Sequence, residues 1–273
     1  MSSYVVAGAS RGIGFEFLRQ LSADPAAIVI GLVRDKAGSE KKVAAEIGRS
    51  NIHLVTGDLI NHESLKKAAE ETSMITGGKL DYLIANGAHL SHWSAHKTFG
   101  RMADAPEKLE EDMYSSFKTN VMGVIHLYNF FVPLIKKGNA KKVIAITSGH
   151  ADIDLVTKYN LASAAPYAIS KIALNMAVAK FSAEYSSEGI LFFSISPGVV
   201  NTSGHLDPAS FEESDRKEFE NVVGIFTKYA PHFKGPIMPD ESVRLMREVI
   251  DKASVERGDG GSFVSHFGTK QWI

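Results

Sequence analysis

Tyr4-Val-Val-Ala-Gly8-Ala-Ser-Arg-Gly12-Ile-Gly14 opens the regular structure of this chain, and its reading decides the fold. An apolar, β-branched run over Tyr4–Ala9 predicts a strand, and a helical pattern follows from Ile13 to Leu21. Between them lie three glycines at i, i+4 and i+6. Gly8 permits a tight turn, Gly12 allows a phosphate to approach the backbone, and Gly14 lets the helix pack close on the strand. Ser10, Arg11 and Ile13 complete the turn. The helix start then presents free N–H groups and a partial positive charge, which suits the pyrophosphate of a dinucleotide.

Outward from this turn the same pattern recurs. Strands are expected at Ala27–Val33, Ile52–Thr56, Leu80–Ala85, Lys142–Thr147, Ile190–Ser196 and Ser262–Val264. Helical patterns fall at Lys36–Gly48, Ser64–Ile75, Pro106–Lys137, Ala164–Tyr185 and Ser242–Ala253. The strands are nearly all apolar, so both faces are covered, as in a parallel sheet with helices on each side. This alternation predicts a doubly wound α/β fold. No repeat or linker divides the chain, which predicts one domain over residues 1–273. Loops at about 89–104, 151–165 and 201–239 leave from strand ends and are the expected substrate segments.

Composition narrows the function. Thirty basic against thirty-one acidic residues give a net charge of −1, without the basic footprint that nucleic acid or an anionic membrane surface requires. The chain has no cysteine, which removes thiolate catalysis and Cys-held metals. The longest apolar stretch, Val121–Ile135, is broken by His126, Asn129 and Pro133. With no leader-like start, these features predict a soluble, cytoplasmic protein. His89, His92 and His96 lack a nearby carboxylate or thiol that would complete a metal site, so no metal is expected.

Two further features carry chemistry. Tyr167 and Lys171 stand four apart in a helical stretch and share one face. A neighbouring ammonium favours a phenolate, so the pair suits a general acid/base acting on a carbonyl or alcohol oxygen. At the end of the second strand, Arg34 precedes Asp35, with Arg11 in the glycine-rich turn. Two guanidiniums suit a 2′-phosphate and favour NADP(H) over NAD(H), whereas Asp35 alone would suit a ribose 2′-hydroxyl.

Taken together, Gly8-Ala-Ser-Arg-Gly12-Ile-Gly14, Asp58-Leu59, Asn86-Gly87-Ala88, Asn120, Ser148, Tyr167-x-x-x-Lys171 and Pro197-Gly198-x-x-x-Thr202 resemble the short-chain dehydrogenases/reductases over nearly the whole length. The resemblance implies a seven-stranded, mostly parallel Rossmann sheet, a nicotinamide cofactor and hydride transfer. Tyr167 would be the proton donor, and Ser148 would hold the substrate carbonyl. Lys171 would bind ribose and lower the Tyr167 pKa, and Asn120 would hold a relay water. Asp58 would contact the adenine amine, Leu59, Asn86 and Gly87 would also bind the cofactor, and Pro197, Val200 and Thr202 would seat the nicotinamide and its carboxamide. A small-molecule ketone or secondary alcohol is the implied substrate, and a homodimer or homotetramer the implied assembly. The same residues also serve enzymes that retain the cofactor for epimerase, dehydratase or cyclase chemistry, and a non-catalytic nucleotide sensor is a third reading.

Two departures stand out. The family usually has Asn-Ala-Gly where this chain has Asn86-Gly87-Ala88, and the nineteen-residue step from Ser148 to Tyr167 is longer than its common spacing. Thr147 is an alternative hydroxyl to Ser148, and His150 is a candidate substrate contact. Trp93, Phe99, Phe211, Phe219 and Phe226 form either an apolar lid or ordinary core.

Overall fold

A computed structural model describes residues 1–202 and 212–273. Strands β1 (Ser3–Ala7), β2 (Ile28–Val33), β3 (Ile52–Thr56), β4 (Tyr82–Ala85), β5 (Lys142–Ile146), β6 (Leu191–Ser196) and β7 (Phe263–Ser265) form one sheet. Its order is β3-β2-β1-β4-β5-β6-β7, and every pairing is parallel. The doubly wound fold expected from the apolar strands is present. The chain crosses from one half of the sheet to the other between β1 and β4, where strand order reverses and a crevice opens at the carboxyl ends.

Both faces are covered. On one, Ile30, Leu32, Leu83, Val143 and Phe192 pack against Leu65, Tyr128, Phe131 and Leu174. These side chains come from α3 (His62–Thr76), α6 (Gly123–Ile135) and α8 (Ala165–Tyr185). On the other, Val6, Val29, Ile144 and Phe193 pack against Phe17 and Leu18 of α1 (Gly12–Leu21) and Met246 and Ile250 of α10 (Pro239–Lys252). The α2 helix (Lys36–Glu46) lies beside β3, and a short α4 (Phe99–Met102) precedes the long helical region.

Three segments differ from expectation. The single helix expected over Pro106–Lys137 is α5 (Pro106–Phe117) and α6 joined by a π-helical turn at Lys118–Met122. Such widened turns favour functional positions, and this one holds Asn120. The loop expected at 151–165 contains α7 (Ile153–Tyr159), started by the Asp152 carboxylate accepting from the Leu155 amide at 2.8 Å and stopped at Asn160 with φ +55°. Residues 213–229, within the third expected loop, form α9 (Glu213–Tyr229). Phe211 lies outside the described residues.

Candidate active site

The glycine-rich turn closes against β4. Gly8 and Gly12 have φ +74° and +56°, a region that favours glycine. A Cβ on Gly8 would lie 2.5 Å from the Gly87 Cα, and one on Gly14 would press into the Gly8 carbonyl. Asn86 Nδ2 donates to that carbonyl at 3.0 Å, and the Gly87 amide donates to the Ala7 carbonyl at 2.9 Å. The inverted Asn86-Gly87-Ala88 order therefore places a glycine where the ends of β1 and β4 nearly touch. Arg11 is the N-cap of α1 without a side-chain capping bond, and the first turn holds no acidic residue. That turn keeps its positive end directed at the crevice.

Around the turn, Ser10, Arg11 and Arg34 are exposed, while Ile13 is buried beneath. Asp35 is committed elsewhere: its carboxylate caps α2, accepting from the Gly38 amide at 3.0 Å. Asp58 accepts from the Ile60 amide at 3.2 Å, and Leu59 packs beneath Gly87. Across the crevice, Thr202 abuts Gly12, Val200 pairs with Ile237, and the Pro197 carbonyl accepts from Ser242 Oγ at 2.7 Å.

Ser148, Tyr167 and Lys171 meet at the end of β5. Ser148 starts a 3-10 turn over Gly149–Ala151, its oxygen accepting from the His150 amide at 3.3 Å. Tyr167 lies in the first turn of α8 and shares a side-chain hydrogen bond with Ser148. Thr147, the alternative, is buried with an unpartnered hydroxyl, so Ser148 is the one that meets Tyr167. Lys171 is 2% exposed, and its Nζ donates to the Ile146 carbonyl at 2.9 Å, 5.6 Å from the Tyr167 ring centre.

Burial governs the titration of both groups. It pushes the Lys171 ammonium down to about 7. It pushes the Tyr167 phenol up to about 12, with the Ser148 hydrogen bond pulling the other way. Of these two influences on Tyr167, desolvation is the larger.

Asn120 is fully buried and engaged by protein. Its Nδ2 donates to the His89 carbonyl and to Ser170 Oγ, both at 2.9 Å, and its Oδ1 accepts from the His89 amide at 2.7 Å. One Oδ1 lone pair remains for a water. Ser170 in turn donates to the Tyr167 carbonyl at 2.7 Å, linking Asn120 to the Tyr167 turn.

The flanking segments meet over this end of the sheet. Lys97 and Arg101 hold the buried Asp215 of α9 at 2.9 and 2.7 Å, and His96 meets Phe219 edge-on. Phe226 packs with Leu155, Leu161 and Trp272, and the His150 ring lies 6.2 Å from it. Burial pushes His150 down to about 4. Phe226 is thus core of this outer cluster, whereas Phe99 is exposed. His266, which the sequence reading missed, backs the turn after β6: a Cβ on Gly198 would lie 2.7 Å from its ring. Among the described residues, no group of three or more His, Asp or Glu is placed to hold a metal ion. None of their helices is long and apolar enough to cross a membrane.

A sequence model of the family described as short chain dehydrogenase matches residues 3–213. The chain is 51% identical to the short chain dehydrogenase virK of Hypocrea virens, and 50% identical to the short-chain dehydrogenase/reductase iacC of Pestalotiopsis fici. Both matches cover 100% of each chain. Among solved structures, NADPH-bound carbonyl reductase from chicken fatty liver is similar at TM-score 0.75 and 25% identity, over 98% of each chain. Carbonyl reductase Sniffer of D. melanogaster superposes at TM-score 0.77 with 21% identity, again over 98% of each. With the glycine turn on β1 and the Ser148–Tyr167–Lys171 grouping at β5, these matches have one reading: the chain belongs to the short-chain dehydrogenase/reductase family of oxidoreductases.

Proposed function

We propose that the protein is an NADP(H)-dependent oxidoreductase that reduces a ketone of an organic small molecule, or oxidises the matching secondary alcohol, with Tyr167 as general acid/base. The meeting of Ser148, Tyr167 and Lys171 at one strand end, beside a backbone cradle that a Cβ would fill, carries this reading. The cradle fits a dinucleotide: Gly8, Ser10, Arg11, Gly12, Ile13 and Gly14 would hold the pyrophosphate. Asp58, Leu59, Asn86 and Gly87 would flank the adenosine, and Pro197, Val200 and Thr202 the nicotinamide. When bound, the nicotinamide supplies or accepts the hydride.

The chain's own groups handle the oxygen. Ser148 and Tyr167 direct hydroxyls at a carbonyl whose oxygen becomes an alkoxide. A phenol held near 12 keeps its proton at neutral pH and can deliver it to that alkoxide. Lys171 spends one donor on Ile146 and keeps two for ribose hydroxyls. The Asp35 carboxylate, tied to α2, is poorly free to meet a ribose 2′-hydroxyl, and exposed Arg34 beside the turn suits a 2′-phosphate. The NADPH of the chicken liver reductase agrees with this preference. An assembly through α5 and α8 would cover exposed Tyr114, Phe117, Ile169 and Met176.

NADPH and NADH titrations followed by nicotinamide fluorescence, then turnover of a ketone panel, test the proposal. NADPH binding is expected to be the tighter, and Arg34→Ala to narrow the gap roughly tenfold. Tyr167→Phe should lower turnover at least ~100-fold with cofactor affinity kept. Product formation without NADPH consumption would instead favour non-redox chemistry, and no binding of either nucleotide would end the reading.

A further inference from the structure

We propose that Asp112 and His89 are positioning residues for Asn120, together setting the hydrogen-bonded chain that ends at the Tyr167 turn. The inference rests on the oxidoreductase reading above. Asp112 of α5 is 6% exposed, and among the described residues the ion-pair partner facing its carboxylate is the His89 imidazole, with Nε2 3.5 Å from Oδ1. Neither carboxylate oxygen has a hydrogen bond from any described residue, so the His89 ring approaches as a polar contact and not as a hydrogen bond. A buried carboxylate carries a desolvation cost and persists where a specific contact needs it.

That contact falls on a residue with a second attachment. His89 lies in irregular backbone just after β4, where no strand ladder fixes it. Its amide and carbonyl both bond the Asn120 side chain, at 2.7 and 2.9 Å. Asp112 precedes Asn120 by eight residues, about two helical turns, so both lie on one side of the same helical region. This region therefore meets His89 at two points: Asn120 bonds its backbone, and Asp112 faces its ring across 3.5 Å. Residue 89 then has one place to sit, and so does the amide that it clamps. From Asn120 the chain continues through Ser170 Oγ to the Tyr167 carbonyl, at 2.9 and 2.7 Å.

Loosening the ring contact should let the backbone at 89 wander and spoil the geometry at Tyr167, with little effect on the cofactor cradle. Asp112→Leu fills the same space without charge, and replacing a buried ionic group this way is often neutral or stabilising. The Tm of Asp112→Leu should therefore hold or rise while kcat falls about tenfold, with the NADPH Kd unchanged. Asp112→Asn keeps a polar oxygen facing the ring at the same place and should restore most of kcat. His89→Ala removes a side chain that is 38% exposed, threatens folding little, and should reproduce the loss. Combining Asp112→Leu with Asn120→Ala should cost no more than Asn120→Ala alone, because all act through one amide.

Hydrogen exchange at the His89 amide gives a readout that needs no turnover. Exchange should speed up at least about tenfold in Asp112→Leu and His89→Ala, and stay slow in Asp112→Asn. Unchanged exchange in Asp112→Leu, or full kcat in both Asp112→Leu and His89→Ala, would overturn the proposal. A wild-type protein that turns over no carbonyl but shows the exchange change would count against the oxidoreductase reading and leave the positioning intact.

Discussion

The turn between β1 and α1 depends on three side chains that are missing. Gly14 shows this most directly, because a Cβ there would press into the Gly8 carbonyl and lie 2.6 Å from Asn86 Nδ2. Neither neighbour can yield: one is backbone, and the other is held at 3.0 Å by its bond to Gly8. Gly14→Ala should therefore lower stability by about 1–3 kcal/mol and weaken NADPH binding at least tenfold, read by thermal denaturation and fluorescence titration. Unchanged binding would show that the cradle is not the nucleotide site. Such glycines were legible in the sequence because their reason is local: a turn, a close approach, a helix start. Asp112 was not legible. Its importance comes from a histidine twenty-three residues earlier, and no local pattern pairs the two. Ser170 lay in plain view inside Tyr167-x-x-x-Lys171 as an unassigned residue, and only packing reveals its bond to Asn120.

At the scale of elements, the sheet and its flanking helices follow from hydrophobic period, and they were legible. The segments over the site were not, since their order comes from contacts distant in sequence. α9 illustrates this. Its first turn is pinned by Asp215 to Lys97 and Arg101, and its last turn by Tyr229, whose hydroxyl donates to the Lys270 carbonyl and accepts from the Trp272 amide. The α9 helix thus joins the 89–104 segment to the C-terminal tail above the strand ends. The Lys97 and Arg101 hydrogen bonds and charges hold the Asp215 carboxyl below its ordinary range against the upward push of burial. Asp215→Ala leaves two cations facing one another, and should cost about 2 kcal/mol of stability. It should also raise the substrate KM several-fold while leaving the NADPH Kd unchanged, since the cradle lies on β1 and β4. An unaltered KM for every substrate would mean that α9 takes no part in substrate binding. The π turn at Lys118–Met122 belongs to this scale too, because apolar periodicity reads straight through one extra residue.

For the whole molecule, buried titratable groups fix how stability varies with pH. Burial pushes His150 and His266 to about 4, from an ordinary value near 6.5. Between those values the unfolded chain binds protons that the folded chain refuses, so unfolding takes up protons and stability falls as pH falls. At about 1.4 kcal/mol per pKa unit, each histidine can remove up to about 3 kcal/mol by pH 4. Lys171 acts in the same sense higher up. Its folded value near 7 lies below the ordinary Lys value of 10.5, so stability climbs as pH rises between them. Tyr167 turns the trend around, because above pH 10 the folded phenol keeps a proton that the unfolded one gives up. Maximum stability of the cofactor-free protein should therefore fall on the alkaline side, at roughly pH 8–10, above the usual neutral range. Thermal denaturation from pH 5 to pH 10 reads this directly, with Tm expected to rise by several degrees between pH 5 and pH 8. His266→Phe removes one of the two acid-sensitive rings from beneath Gly198 and should flatten the acid limb by about half. A Tm that stays level from pH 5 to pH 8 would mean that these imidazoles admit protons in the folded state, and that the outer cluster around Phe226 and Trp272 opens to water more readily than its packing implies.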